Sequence, residues 1–393
     1  MAYFRNNTVN LLNLHYGIHS LALSGGGTFF LVFLLKSGVP APAVLTFIAA
    51  MLLGRFVIRP GVLVLAKRCG LKPLVIAGTI AGGLQYPLLA EVHGVGATLF
   101  LLCAVSSVAD TLYWTAYHAY FASLGDAEHR GHQVGAREAI AAVAGIIGPL
   151  AAGWTLTTLG PQVAFGATAI VLVLAGLPIV WTPNVKVAFN VSGALKAAIP
   201  GVLLFAADGW IVVGYAFVWQ IALFLSLGES YAAFGGAMAL SAIVGALGGM
   251  FLGRLVDAGH GARAAWIALA ALAITTILRA LSYGNAPFAV VANACGALVL
   301  CLYLPPFGTA VYNQAKRSPC PLGFHIAAEG GWDIGGATAA LIAAGLLAIG
   351  VPLSACILLS LLAAPASFLL LRRYFAAAEP RAEAAVGAKL AER

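Results

Sequence analysis

Residues 162–182 read QVAFGATAIVLVLAGLPIVWT, an apolar run without a single charged side chain. About twenty such residues cross the hydrocarbon core of a bilayer as an α-helix. A helix on the surface of a soluble protein would carry polar residues along one whole face, and this run has no such face. The stretch therefore predicts a membrane-spanning helix, and the rest of the chain repeats the pattern.

The whole chain has the composition of a protein surrounded by lipid. Of its 393 residues, 62% are hydrophobic and only 9% are charged, and the mean hydropathy is +0.97. A soluble domain needs more charge to cover its surface. We therefore expect an all-α membrane protein whose main partner is the lipid bilayer. The twelve predicted spans are residues 9–36, 41–66, 73–90, 94–122, 137–159, 162–182, 197–227, 231–256, 264–283, 286–313, 324–348 and 351–374.

The longest polar stretch between the sixth and seventh spans, Thr182 to Lys196, divides the chain near its middle. The fourth and tenth spans each lead through a polar loop to a short run of small residues with a glutamate, at 135–138 and 327–330. This weak repeat is typical of two pseudo-symmetric six-helix halves. We expect an N-terminal half at 1–182, a cytoplasmic linker at 183–196, a C-terminal half at 197–375 and a cytoplasmic tail at 376–393.

The basic residues predict the orientation of the chain. With the N-terminus inside, the outer side holds only Lys36 and, near a helix end, Arg279. Positive charge accumulates in cytoplasmic loops, so both termini are expected in the cytoplasm. The formal charge of +8 is spread between spans and forms no patch for nucleic acid. We expect a monomer in a bacterial inner (plasma) membrane, crossing it many times. The predicted inner-side residues are Arg5, Lys67, Arg68, Lys72, Arg130, Arg137, Lys186, Lys196, Arg254, Arg263, Lys316, Arg317, Arg372 and Arg373.

The loop between spans eight and nine reads GRLVDAGHGAR at 253–263, with Gly253, Asp257 and Arg263 as its marked positions. This loop resembles the signature loop of the major facilitator superfamily. The corresponding loop between spans two and three keeps three of the motif positions, but Leu63 replaces its first glycine and Lys67 replaces its aspartate. The positions kept are Arg68, Gly70 and Lys72.

Span five contains GIIGPLAAG at 145–153, with Gly148 and Pro149 at its centre. It is similar to the Gly-Pro element that the same superfamily carries, especially in antiporters, although Ala152 stands for one glycine. Close packing of small residues against a neighbouring helix explains the pattern equally well. The resemblance implies two six-helix halves around a central cavity and alternating access, and hence a secondary active transporter for a small molecule or ion. Export and antiport are left open.

Ionisable residues within spans are costly in lipid, so they mark candidate sites. Asp110 lies midway along span four, and Tyr113, Trp114 and Tyr117 follow it at helical spacing. Asp208 lies midway along span seven, followed at helical spacing by Tyr215 and Trp219. A carboxylate beside aromatic rings suits a proton or a cationic group, which favours proton coupling. A structural carboxylate bonded to a neighbouring helix is the alternative.

Span one carries His15 and His19 one helical turn apart. Paired histidines could relay protons or bind a metal, and no sequence feature identifies that metal. A histidine bonded to a neighbouring helix is the commoner arrangement. We retain His19 as a candidate for proton or substrate binding.

Span two carries Arg55 and Arg59, and span eleven carries Glu329 and Asp333, each pair at i, i+4. The resemblance implies that these two spans face each other across the halves on the cytoplasmic side. The charges lie at matching depths, so we expect them to pair and to latch the inner gate in the outward-facing state. Pairing within each half, or Arg59 reaching the headgroups, is the alternative.

The sequence contains no Gly-x-x-x-x-Gly-Lys-[Ser/Thr] phosphate loop and no cluster of hydrolytic residues. We therefore expect neither an enzyme nor a cofactor. Two other transport functions stay open. A divalent metal transporter would use His15, His19 and the mid-span carboxylates, and a lipid or lipid-linked flippase would use the same fold with a more apolar cavity.

Overall fold

A computed structural model describes residues 6–124, 130–186, 193–256 and 261–391. Within these ranges every regular element is a helix, and twelve helices are long and apolar enough to cross a membrane. The predicted all-α fold with twelve spans is therefore confirmed. We number them α1 Asn7–Lys36, α2 Ala41–Cys69, α3 Leu71–Ala90, α4 Ala97–Leu124, α5 Arg130–Thr158, α6 Pro161–Val180, α7 Ala194–Ser226, α8 Tyr231–Val256, α9 Gly261–Ser282, α10 Ala286–Arg317, α11 Pro321–Ala348 and α12 Leu353–Ala376.

Several helices extend beyond the apolar runs that predicted them. Helix α5 begins at Arg130, before its apolar part, and α10 continues to Arg317. Proline and glycine set other boundaries. Pro161 opens α6, where its missing N–H costs nothing. Gly70, with φ +85°, turns α2 directly into α3 in a conformation that other residues rarely adopt.

The first helix of each half is irregular at the same distance from its start. Helix α1 contains a 3₁₀ turn at Gly26–Phe29, and α7 contains a π-helical turn at Val213–Val218. The preceding α-helical segments are Asn7–Ser24 and Ala194–Val212. The equal placement is consistent with the pseudo-symmetry of the halves.

The most extensive contacts between the halves, among the described residues, are those of α2 with α11 and of α5 with α8. With twelve spans both termini lie on one side of the membrane, which we call the termini side; the other is the far side. On the far side one hydrophobic core contains residues of both halves, among them Leu52, Phe165, Trp219 and Ala337. On the termini side the first half and the second half have separate cores.

The start of the predicted linker is held against the first half. Asn184 donates its side-chain N–H to the Cys69 carbonyl at 2.7 Å, and Lys72 Nζ donates to the carbonyls of Val180 and Thr182 at 2.6 and 2.9 Å. Positions 187–192 lie outside the described residues.

Candidate functional site

A network of charged side chains joins α2, α4 and α11 where the shared core gives way to the separate ones. Arg59 donates from Nε and Nη2 to Asp333 Oδ2 at 3.1 and 2.5 Å, and it forms an ion pair with Glu329. Arg55 Nε lies 3.1 Å from Asp333 Oδ1, and Arg55 Nη1 lies 3.3 Å from Asp110 Oδ2. The structure thus brings the four predicted gate residues together and adds Asp110 to them.

The network contains three carboxylates and two guanidinium groups. With every group ionised it carries one excess negative charge, which attracts a proton or a cation in this poorly solvated site. Asp333 is fully buried and contacts both arginines, whereas the Asp110 side chain is 30% exposed and has one longer bond to Arg55. Asp110 is therefore the carboxylate most open to exchange.

Asp208 joins this network through an indole ring. Trp332 of α11 donates Nε1–H to Asp208 Oδ2 at 3.0 Å, and the Arg55 guanidinium lies 5.4 Å from the centre of a Trp332 ring. The two mid-span carboxylates that the sequence singled out therefore flank the same arginine–tryptophan pair, one from each half. The Tyr303 side chain is a further neighbour of Asp208.

Two aromatic residues expected beside Asp208 lie elsewhere. Trp219 donates Nε1–H to Asn293 Oδ1 at 2.9 Å, and the Tyr215 hydroxyl donates to the Gly296 carbonyl at 2.7 Å, so both are buried within the second half. The π-helical turn explains the difference. It adds a residue to one turn of α7 and rotates everything after it, so spacing counted from Asp208 no longer predicts a shared face.

Helix α4 presents two faces rather than the single one expected. Tyr113 and Tyr117 are buried against α1, whereas Trp114 is partly exposed and His118 is exposed. Asp110, Trp114 and His118 follow each other at i, i+4 and i+8, so they form one face. Helix α4 contacts α11, and Asp110 shares Arg55 with Asp333 of α11, so this face lies toward the second half.

The two histidines of α1 lie in an aromatic cluster. His15 Nδ1 donates to the Ala175 carbonyl at 2.6 Å, which leaves Nε2 to accept the Tyr113 hydroxyl at 3.0 Å. His19 stacks on the Tyr113 ring with centroids 4.0 Å apart, and its buried Nδ1 has no hydrogen-bond partner. No group of three potential metal ligands occurs among the described residues. His15 could bind a metal only by giving up its bond to Tyr113.

Arg279 is a buried cation that sequence reasoning placed at the outer end of a helix. It is 5% exposed, and its Nη1 donates to the Tyr215 carbonyl at 2.5 Å. Its guanidinium carbon lies 4.1 Å from the Tyr215 ring centre and 5.0 Å from that of Trp219. The described part of the chain gives Arg279 no carboxylate partner.

Comparison with known families and structures agrees with this architecture. The family profile described as Major Facilitator Superfamily matches residues 14–225, more than half of the chain. The chain belongs to the major facilitator superfamily. Its fold is similar to that in a crystal structure of an auto-inhibited POT family peptide transporter, with a TM-score of 0.64 and 12% identity over 94% of this chain and 96% of that one. A comparison with curated protein sequences finds no relative.

Membership of this superfamily makes the protein a multi-pass membrane transporter of the secondary type. The loop between α2 and α3 contacts the start of the predicted linker. The backbone N–H of Lys72 and the site of Gly70 contact Asn184, so this loop binds the connection between the halves. Gly253 lies in the last turn of α8, Arg68 and Arg263 are exposed, and Asp257 lies outside the described residues.

The Gly-Pro element of α5 is a site of close helix contact. A Cβ added to Gly148 would lie 2.7 Å from the Gly25 nitrogen of α1, and one added to Gly235 of α8 would overlap the Pro149 carbonyl. Small residues are therefore required where α5 passes between α1 and α8. Close helix packing therefore accounts for the small residues of the element that resembles the superfamily motif.

Proposed function

We propose that this major facilitator exchanges protons against a small solute with a cationic group, with Asp110 as the carboxylate that both ions use. The observation that carries the proposal is the excess carboxylate in the network of Arg55, Arg59, Asp110, Glu329 and Asp333. A proton or a cationic group on Asp110 would neutralise that excess.

The surroundings of the two mid-span carboxylates favour an organic cation. Trp114 follows Asp110 on the same face of α4, and Trp332 bonds to Asp208. Indole rings attract cations through their π faces. A divalent metal would need several oxygen or nitrogen ligands around one point, and the described residues offer no such group. The similar solved structure is a peptide transporter, and peptides also carry an amino group.

Asp110→Asn tests the coupling. The amide can neither take up a proton nor pair with a cationic group. Uphill transport driven by an imposed pH gradient should therefore fall at least about tenfold, and solute exchange at equal pH should continue only at higher solute concentrations. The assay is flux in proteoliposomes, using an organic cation that raises the melting temperature of the purified protein. Asp208→Asn, which keeps an acceptor for Trp332, should also weaken uphill transport.

The control for these variants is Glu138→Gln, since Glu138 is 56% exposed and, among the described residues, forms its ion pair with its neighbour Arg137. Uphill transport by both aspartate variants at the rate of the parent protein would show that neither carboxylate couples the flux.

We propose that Arg55, Arg59, Glu329 and Asp333 form the gate contact between α2 and α11. Sequence reasoning assigned their pairing to the outward-facing state. In this structure the arginine–carboxylate ion pairs are formed. The halves share one hydrophobic core on the far side and have separate hydrophobic cores on the termini side. The gate contact therefore lies at the depth where the separate cores of the halves meet the shared core. We infer that it closes the space between the halves toward the far side.

We further propose that the termini side is cytoplasmic, in a bacterial inner membrane, and that the boundaries at 182 and 196 separate the two halves. The basic residues at helix ends on the termini side support this orientation. Lys316→Cys and Lys36→Cys, each in a background without other cysteines, should be accessible from opposite sides of the membrane. An impermeant maleimide should reach position 36 only. Labelling of position 316 in intact cells would reverse the orientation.

A further inference from the structure

A groove opens on the termini side of the second half, between the start of α7 and the ends of α10 and α12. Its volume is about 510 Å³. It is separate from the charged network, which lies between α2, α4 and α11. Its lining combines apolar residues with two arginines. Among the lining residues are Leu203, Leu204, Leu370, Arg317, Arg373 and Tyr374.

Charge and apolar surface lie at different depths in this groove. Arg317 is the last residue of α10, and Arg373 is close to the end of the membrane-spanning part of α12. Leu203 and Leu204 are nine and ten residues into α7, roughly 15 Å from its start. The mouth is therefore basic at the level of the helix ends, and the floor is apolar at the level of the hydrocarbon.

The mouth is suited to an anion. Arg317 and Arg373 are exposed, and within the described residues neither forms an ion pair. Helix α7 begins beside them after Gly193, which offers no side chain to cap the first N–H groups. Free N–H groups at a helix start attract negative charge.

We propose that this groove binds an anionic phospholipid of the leaflet on the termini side. The phosphate lies between Arg317 and Arg373, and an acyl chain runs along Leu203 and Leu370. A free phosphate ion would satisfy the arginines but leave the apolar floor, where Leu203 is 52% exposed, without cover. Basic pockets between spanning helices are suited to lipid headgroups of this kind.

Lipid binding is measured by native mass spectrometry and by melting temperature on the full-length protein in detergent. The probes are phosphatidylglycerol, phosphatidylcholine and inorganic phosphate. We expect saturable binding and stabilisation with phosphatidylglycerol. Arg317→Gln with Arg373→Gln should lower its affinity about tenfold or more, because both charged contacts to the phosphate are lost.

The matched control exchanges the neighbouring positions, Lys316→Gln with Arg372→Gln. Both are exposed and lie outside the groove, and the change in net charge is the same. Leu203→Ser, which leaves the charge unchanged, should also weaken phosphatidylglycerol binding. Equal losses in the two charge variants would mean diffuse surface attraction and would overturn the proposal. Equal binding of phosphatidylcholine, or equal stabilisation by inorganic phosphate, would overturn it as well.

Discussion

Arg279 shows how a charge can be accommodated within a membrane-spanning bundle without a carboxylate. Its guanidinium donates to a backbone carbonyl of the π-helical turn and lies against the rings of Tyr215 and Trp219. A π-helical turn disrupts the regular i→i−4 bonding, and a guanidinium has five donors to offer the carbonyls there. The arginine therefore stabilises the irregular part of α7 from α9.

Gly296→Ala should destabilise the protein by about 1–3 kcal/mol, because a Cβ at this position would overlap the Arg279 guanidinium. The shift is measured as a lower melting temperature of the purified protein. Gly345→Ala is the control, since a Cβ there meets nothing within 4 Å and alanine favours the helix. Equal melting temperatures for the parent and Gly296→Ala would show that Arg279 is free to move away.

Individual charged residues within spans were predictable as site residues. An unpaired charge in the hydrocarbon core has a high free energy, so each of them requires a partner. Asp110, Asp208 and the four charged residues of α2 and α11 were predicted as candidate site residues on this basis. The sequence could not predict that Asp110 belongs to the same network, since this depends on how α4 packs against α2. Nor could it place Arg279, because neither the π-helical turn nor the space left by Gly296 is visible in a pattern of hydrophobic residues.

At the scale of the helices, α2 and α11 are held together by a network in which each arginine contacts two carboxylates. Arg59 is 2% exposed and Asp333 is fully buried, so removing one partner leaves an uncompensated charge. The sequence predicted this pairing from i, i+4 spacing and matching depth. The assignment of the contact to the outward-facing state stays a prediction, because the depth of a residue does not reveal on which side of it the halves separate.

A double-mutant cycle on Arg59→Gln and Glu329→Gln should give a coupling energy of about 1–3 kcal/mol, because the pair is buried and its members are in contact. The measurement is the change in unfolding free energy, or in melting temperature where unfolding is irreversible. The same cycle on Arg137 and Glu138 is the control. Glu138 is 56% exposed, so a coupling below about 0.5 kcal/mol is expected there. Similar values for the two cycles would argue against a gate contact.

At the scale of the whole molecule, the two halves differ in how they meet on the two sides of the membrane. The far side has one core shared by residues of both halves, and Lys36 of the first half donates to the Glu229 carbonyl of the second at 2.8 Å. The termini side has two cores. We expect transport by alternating access, in which this shared far-side core separates in another conformation and α5 moves away from α8.

A reversible cross-link between α5 and α8 tests that movement. A Cβ on Gly145 would lie 3.5 Å from the Ala242 Cβ, which is within the range of a disulfide. In a background without the six native cysteines, Gly145→Cys with Ala242→Cys should therefore cross-link on oxidation, stop transport, and recover with a reductant. Each single variant should transport equally well under both conditions. Unchanged flux through fully cross-linked protein would mean that these helices stay together, and that the far side opens elsewhere or not at all.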